Sequence, residues 1–489
     1  MAPAKLAREK GHPLRARILA EENRKWLTLA AVSFGLFMIM LDNTVVNVAL
    51  PTIQEDLGLE TSQLLWVVTG YALSFAALML TGGKLADLYG RRRIFVLGLV
   101  IFTLASLACG LADSGEMLIA ARIVQGGGAA LMNPATLSII AATFPPHQRG
   151  MAIGIWAGVS ALALAIGPLV GGLLTEHLNW NWIFFVNIPV GIAAIIVSLL
   201  VIRESKDESE EQKLDFLGLL TSGIGLFALT YGLIEANAHG WTSALILGSF
   251  AVAAIALAAF VLLELHQRLP MLDLTLFRNG TFAGANIVIL LVALAMFGVF
   301  FFVSIYMQTI LGYSAVQAGA AFLPMTILVI LIAPLAGKAS DRIGSRWLMT
   351  VGMTLLGVQL IYLSRLGLDS TFWDLLPGFM IGGIGMALTM TPSAAAAVRS
   401  VPVDKSGVGS AVLNAFRQVG GSVGVAMMGA IFAYEAAGRT TPEAFIDGFS
   451  VALVVAGLIA FSGAIVAAVL VRPHEMHRPG SAEPVLDAG

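Results

Sequence analysis

Long, mostly apolar stretches recur along the whole chain, and nothing else in it limits the possible folds so tightly. Fourteen can be counted, at 26–49, 63–82, 93–112, 117–140, 151–174, 181–202, 215–235, 242–264, 282–311, 316–337, 346–366, 372–398, 406–435 and 447–471. A lipid core is crossed by about 20 helical residues. Inside lipid, every backbone polar group has to be bonded within the protein, which leaves helices as the spanning element for runs of this length. The fold class predicted is therefore an all-α integral membrane protein with 14 transmembrane helices. Runs nine and thirteen are long enough to tilt or to project. Composition agrees: 58% of the 489 residues are hydrophobic and 12% charged, about half the charged fraction of a soluble domain.

Charge sets the orientation. An even number of spans puts both termini on one side. The 28 Lys and Arg residues gather almost entirely on that side: in the tail from Lys5 to Lys25, and at 84–93, Arg149, 203–213, Arg268, Arg278, 338–346, Arg399, Lys405, Arg472 and Arg478. Arg365 and Arg439 fall in loops of the other side, and Arg122 and Arg417 lie inside apolar runs. Cytoplasmic loops carry the excess of Lys and Arg, so a multi-pass protein of the plasma (cell inner) membrane with cytoplasmic termini is expected. Residues 1–25 contain no apolar core, hence no cleavable signal is expected. They suit a basic tail beside an anionic leaflet better than a nucleic-acid arm, because they lead straight into a spanning run.

Several chemistries find no support. Cys109 is the one cysteine, so no intrachain disulfide can form. No Gly-x-x-x-x-Gly-Lys-Ser/Thr loop is present, which argues against ATP-driven pumping. The seven histidines form no His-x-x-x-His pair. No metal, no cofactor and no enzymatic activity are expected.

Between runs two and three lies Gly82-Gly83-Lys84-Leu85-Ala86-Asp87-Leu88-Tyr89-Gly90-Arg91-Arg92-Arg93, and a thinner copy, Gly337-Lys338-Ala339-Ser340-Asp341-Arg342-Ile343-Gly344-Ser345-Arg346, lies between runs ten and eleven. A polar hinge repeated in an apolar chain implies a repeated bundle, and hinges on the same side make the repeats parallel. This stretch resembles the loop signature between helices two and three of the major facilitator superfamily, whose members usually have two sets of six helices. The interval between the hinges is too long for six helices and fits six plus an inserted pair. The expected organisation is a tail at 1–25, a six-helix bundle at 26–202, a linker at 203–214, an inserted pair at 215–264, a linker at 265–281, a second, pseudo-symmetric six-helix bundle at 282–471, and a tail at 472–489. The resemblance gives Gly83, Asp87, Gly90, Arg91 and Arg92, with Asp341, Gly344 and Arg346 in the second copy, a cytoplasmic gating role. It places Asp87 against the helix start at Ser406 to Ser410, and Asp341 near Gly150.

Ionisable residues inside a span are costly and by default functional. Asp42 in run one and Arg122 in run four lie at similar depths by helical rise. Two readings stay open: a static ion pair fixing the helices, or a carboxylate whose protonation competes with that pair or with cargo. Arg417, deep in run thirteen, has no acid at comparable depth in the second half, and structural anchoring and cargo contact are both open for it. Glu235, Glu264 and Glu435, near the ends of their runs, are expected to reach water.

Arg122-Ile123-Val124-Gln125-Gly126-Gly127-Gly128 resembles the superfamily's helix-four motif, whose arginine is associated with proton coupling. Gly154, Gly158, Gly167, Pro168, Gly171 and Gly172 in run five would by themselves make a bent, closely packed helix; the pattern also looks like the signature of drug/proton antiporters. Trp180 to Pro189, the Asp42 segment and Asn414-x-x-Arg417-Gln418-x-Gly420-Gly421 are similar to the fourteen-helix drug:proton antiporter branch. The resemblance implies multidrug efflux (an antibiotic-resistance function) driven by the proton gradient through alternating access, with Asp42 and Arg122 coupling. A cargo cavity is expected near Asn43, Gln125, Trp156, Glu235, Asn414 and Arg417. A single deep acid suits neutral or monocationic lipophilic compounds, because a dication would need two. A monomer in the bilayer is expected. A dedicated exporter of one metabolite or lipid, and a transporter-like ligand sensor, are the rival readings.

Overall fold

A computed structural model describes residues 21–206, 215–267, 270, 272–401, 406–436 and 441–472, and the apolar runs within them are helices. In chain order these are α1 (Glu21–Leu57), α2 (Thr61–Tyr89), α3 (Arg91–Gly110), α4 (Gly115–Thr143), α5 (Pro146–His177), α6 (Trp182–Phe185), α7 (Asn187–Val201), α8 (Phe216–His239), α9 (Ala244–His266), α10 (Gly280–Ile305), α11 (Ala315–Ala321), α12 (Leu323–Ile343), α13 (Ser345–Leu363), α14 (Phe372–Arg399), α15 (Ser406–Ala436) and α16 (Pro442–Leu470). The tails before residue 21 and after 472, and the linker at 207–214, lie outside the described residues.

Local chemistry sets the helix ends. Side-chain oxygens of Asp215, Ser243 and Asn279 accept backbone N–H groups at the starts of α8, α9 and α10, while Ser314 and Gln317 form a reciprocal cap on α11. Such caps satisfy donors that the helix itself leaves open. Gly90 and Gly344 break the chain between α2 and α3 and between α12 and α13 with φ of 111° and 82°, a region favouring a residue without Cβ. Both hinge glycines therefore have a backbone role. Some runs differ from expectation at their ends: α1 continues through Pro51 to Leu57, α10 passes into a π-helical turn at Tyr306–Ile310, and runs six and ten are each divided in two.

Twelve helical segments among the described residues are long and apolar enough to cross a bilayer, fewer than the fourteen expected. α4 and α5 are not among them, although they are 29 and 32 residues long. α4 interrupts its apolar character with Arg122, Gln125, three successive glycines and Asn133.

The face where α1 begins is termed proximal and the opposite one distal. Helix pairings in the first half return in the second. α1 packs on α5 as α10 does on α15, α2 on α4 as α12 on α14, α3 on α4 as α13 on α14, and α3 on α7 as α13 on α16. The interfaces between the halves repeat as well: α2 meets α15, and α5 meets α11. α8 packs against both α2 and α15, and α9 lies on its outside. Only 11% of the residues in the α9 span are buried, at a mean hydropathy of 2.7, which suits a helix bathed in lipid on most sides.

Candidate functional site

The Arg122 guanidinium forms an ion pair with the Asp42 carboxylate, joining α4 to α1, with both side chains almost wholly buried. A buried charge is tolerated only when paired and hydrogen-bonded, and a dense network meets that condition. Arg122 Nε donates to the Val67 carbonyl at 3.1 Å, and Nη1 also donates to Gln125 Oε1 at 2.8 Å. Gln125 Nε2 donates to Asp42 Oδ1 at 2.9 Å and to Ser106 Oγ at 3.2 Å. Asn187 Nδ2 donates to Ser106 Oγ at 3.0 Å and approaches Asp42 Oδ1 at 3.5 Å, while the Ser106 hydroxyl donates to the Phe184 carbonyl. The guanidinium carbon lies 4.2 Å from the Tyr71 ring centroid, a cation–π arrangement. α4 and α7 thus meet on the carboxylate of α1, and α2, α3 and α6 hold the residues around it. The shared depth of Asp42 and Arg122 was legible in the sequence. The parts of Ser106, Asn187 and Tyr71 were not, since an isolated serine, asparagine or tyrosine in an apolar run carries no spacing signal.

A narrow cleft between the halves reaches this network. Asn43, Val46, Asn47 and Arg122 line it from one side, and Phe297, Gly421, Ser422 and Val425 from the other. Of the residues expected around a cargo cavity, Asn43 lines the cleft. Gln125 does not: it is fully buried behind Asp42. Trp156 turns to α4, where its indole N–H donates to Thr136 Oγ1 at 2.9 Å. Asn414 and Arg417 are half-buried on α15, one to three turns nearer the proximal face than the lining Gly421, Ser422 and Val425.

Glu235 also lies away from the cleft. It accepts the Trp66 indole N–H at 3.0 Å, with His239 on its other oxygen at 3.7 Å, and Asn237 Nδ2 donates to the Ala430 carbonyl at 2.8 Å. α8 thereby bonds to both halves near the distal face. Glu264 does not reach water: it is 3% exposed and accepts the Leu272 N–H at 2.8 Å.

The proximal hinge of the first half is held from within that half. Asp87 accepts from Arg91 Nε at 3.0 Å. Arg92 and Arg93 face Glu204 at 3.7 and 3.6 Å, and Glu204 Oε1 accepts the Arg92 N–H at 3.0 Å. A methyl on Gly90 would lie 2.6 Å from Glu204 Oε1, so the glycine also admits this carboxylate. Gly83 lets α2 approach Pro134 of α4. The second hinge is built differently: Arg399 Nη2 donates to Ser340 Oγ at 2.6 Å, Ser340 and Ser345 share a hydrogen bond of 2.7 Å, and Arg346 sits 5.3 Å from the Trp347 ring centroid. The side chains of Asp341, Ser406 and Ser410 and the surroundings of Gly150 lie outside the described residues, and with them the expected contacts of Asp87 and Asp341.

Among the described residues, hydrogen bonds between the halves lie toward the distal face. Gln308 Nε2 donates to the Val48 carbonyl at 2.9 Å, and the Val316 N–H to Glu176 Oε2 at 3.0 Å. Beside them, α5 and α11 touch through backbone: a methyl on Gly172 would collide with the Ala315 carbonyl, and one on Gly319 with the Pro168 carbonyl. Gly167 and Gly171 admit Thr44 and Val45 of α1. Gly158 has nothing near its Cβ position, so it takes no part in the close packing expected of the run-five glycines, and the side of Gly154 is not described.

The sequence profile described as Major Facilitator Superfamily matches residues 32–425 and 285–486. The chain is 36% identical over 410 residues to the tetracenomycin C resistance and export protein of Streptomyces glaucescens, covering 84% of this chain and 76% of that protein. It is 36% identical over 462 residues to a puromycin resistance protein of Streptomyces alboniger, with 92% of each covered. It is also 37% identical over 410 residues to the multidrug resistance protein Stp of Mycobacterium tuberculosis, covering 83% and 76%. Among solved structures, a bacterial homolog of the human lysosomal transporter Spinster superposes with a TM-score of 0.65 at 19% identity, over 95% of this chain and 98% of that one; at that identity the likeness is one of fold. With its apolar helices, repeated pairings and family match, the chain is a multi-pass membrane transporter and belongs to the Major Facilitator Superfamily.

Proposed function

We propose that this protein exports lipophilic, neutral or singly charged compounds across the plasma membrane in exchange for protons, by alternating access. The observation that carries this reading is the buried Asp42–Arg122 pair in the wall of the cleft between the halves. Burial and a neighbouring guanidinium act in opposite senses on a carboxyl group's hold on its proton. A movement that separates α1 from α4 therefore changes that hold, which is what uptake on one side and release on the other require. The relatives named for drug resistance or export support efflux as the direction.

In this reading α4 and α5 also span the bilayer, giving fourteen transmembrane helices in two six-helix bundles with α8 and α9 as the inserted pair. The proximal face is cytoplasmic, as the loop charges indicate, and the distal contacts hold the outer side shut. The protein works as a monomer without cofactor. The test uses energised inverted vesicles: a cargo compound added outside should collapse the pH gradient with wild-type protein and leave it intact with Asp42→Asn. Gradient collapse at the wild-type rate in that variant would refute Asp42 as the carrier.

A further inference from the structure

Two hydroxyls, one from each half, belong to the cleft wall and lack a hydrogen bond. Tyr71 of α2 and Ser422 of α15 both line the cleft. Each residue is 1% exposed, and neither Tyr71 Oη nor Ser422 Oγ has a hydrogen-bond partner within the protein. The Tyr71 hydroxyl stands beside the side chain of Asn43, another lining residue, outside hydrogen-bond geometry. Buried polar atoms are nearly always satisfied, so two open hydroxyls on one cleft mark a place for a partner from outside the chain.

The other polar groups of the wall are taken. The Thr69 hydroxyl donates to the Leu65 carbonyl at 2.8 Å, Asn43 Nδ2 to the Ile39 carbonyl at 2.8 Å, and Asn47 Nδ2 to the Asn43 carbonyl at 3.3 Å. Arg122 is spent on Asp42, Gln125 and Val67. Val46, Val68, Ala72, Phe297 and Val425 make the remainder apolar. The cleft therefore offers two hydroxyls, each both donor and acceptor, set in an apolar surface.

Size and charge narrow the occupant. In this conformation the cleft has room for about one water molecule. A water there can serve both hydroxyls, and an oxygen-bearing group of a larger compound can take its place once the halves move apart. Arg122 lines the cleft, but its charge is balanced by Asp42 behind it, and among the described residues no carboxylate lines the cleft. An ionised compound of either sign would leave water without finding a free counter-charge, which is costly. The monocation expected from the sequence needs Asp42 open to cargo, and the bonds of Asp42 to Arg122 and Gln125 close that option.

We propose that Tyr71 and Ser422 form the polar contact point of the cargo cleft, and that the preferred cargo is an uncharged lipophilic compound recognised through a carbonyl or hydroxyl oxygen. This rests on the export reading, since it assigns cargo to the same cleft. One hydroxyl comes from each half, so a single oxygen on the compound ties the two halves to the same ligand.

The test is equilibrium binding to the full chain in lipid nanodiscs, corrected for uptake by empty nanodiscs, with one aromatic scaffold made as ketone, as the matching methylene compound and as primary ammonium. Wild-type protein should bind the ketone roughly three- to tenfold more tightly than the methylene compound, the range of one net hydrogen bond, and more tightly than the ammonium. Tyr71→Phe and Ser422→Ala should each weaken the ketone about threefold or more and leave the methylene compound unchanged. Neither should lower the unfolding temperature, because each removes a hydroxyl without a partner in the protein. A wild-type protein that prefers the ammonium or does not distinguish ketone from methylene, or variants that both keep the ketone preference, would overturn the proposal. So would variants that lose unfolding temperature and weaken both neutral compounds alike, since the hydroxyls would then serve the fold. Binding needs no transport, so the two readings fail separately: a ketone preference without efflux from vesicles removes the export reading, and efflux without a ketone preference removes the contact point.

Discussion

Asp42 and Arg122 stand on different helices with their side chains at 0% and 1% exposure, so the ion pair between α1 and α4 is almost wholly buried in the wall of the cleft. Removing one partner leaves the other charge buried and unpaired. Asp42→Asn is expected to destabilise the protein by roughly 3–5 kcal/mol, and the double variant Asp42→Asn/Arg122→Gln to recover most of that loss. Proton-coupled efflux should be absent from both. Thermal unfolding and vesicle transport together separate the structural from the coupling role; a double variant that regains coupled transport would show the pair to be a static brace.

Glu235 bonds Trp66 near the distal face, away from the Asp42 network. Glu235→Gln should therefore keep proton coupling at the wild-type stoichiometry. Glu235→Leu leaves the Trp66 indole N–H without its acceptor and should cost about 1–3 kcal/mol of stability, seen as a lower unfolding temperature. Loss of coupling in Glu235→Gln would mean that α8 carries protons.

Glu176 offers a pH prediction. Hydrogen bonds from the Ser314 side chain and the Val316 N–H hold its carboxyl below the usual carboxylate range. A depressed value means that the contact favours the closed distal face above the ordinary carboxylate value, about 4.3, and that this support is lost as pH falls through the lowered one. Between pH 5 and 8, set by that ordinary value, the contact is constant. Glu176→Gln should shift the protein toward the distal-open form, read by cysteine accessibility at the distal face. The pH profile of transport in that window should keep its wild-type shape; a profile that moves with Glu176→Gln would contradict this assignment.

Glycines in α4 and α5 separate cleanly into two kinds. A methyl on Gly126 would collide with the Tyr71 carbonyl of α2, and one on Gly158 would meet nothing within 4 Å. Gly126→Ala should cost about 1–3 kcal/mol as overpacking. Gly158→Ala should be neutral, or stabilising by about 0.5–1 kcal/mol through helix propensity. Paired melting curves check both.

Long apolar runs, the polar hinge and its copy were plain in the sequence because bilayer thickness and chain reversal leave local marks. The repeated pairings, α1 with α5 and α10 with α15, follow from the same periodicity. Residues that act through tertiary approach were hidden. Glu204 sits in a polar linker where one more acid attracts no notice, yet it receives Arg92 and Arg93. Gln125 was expected near the cargo cavity. Rotation of α4 points it instead at Asp42, and no periodicity argument fixes that rotation. Glu264 was placed in water for its position near a helix end, but the backbone at Leu272 folds over it.

The distal contact of α5 with α11 is made by each helix laying a glycine against the other's carbonyl oxygen, Gly172 on Ala315 and Gly319 on Pro168. At these two points backbone meets backbone, with no side chain between the helices. The seam's tightness comes from shape, and beside it the Glu176 carboxylate accepts the Val316 N–H. Any side chain placed at Gly172 or Gly319 would meet the facing carbonyl oxygen and prop the seam apart, so this closure is set by the smallest residue the chain can offer.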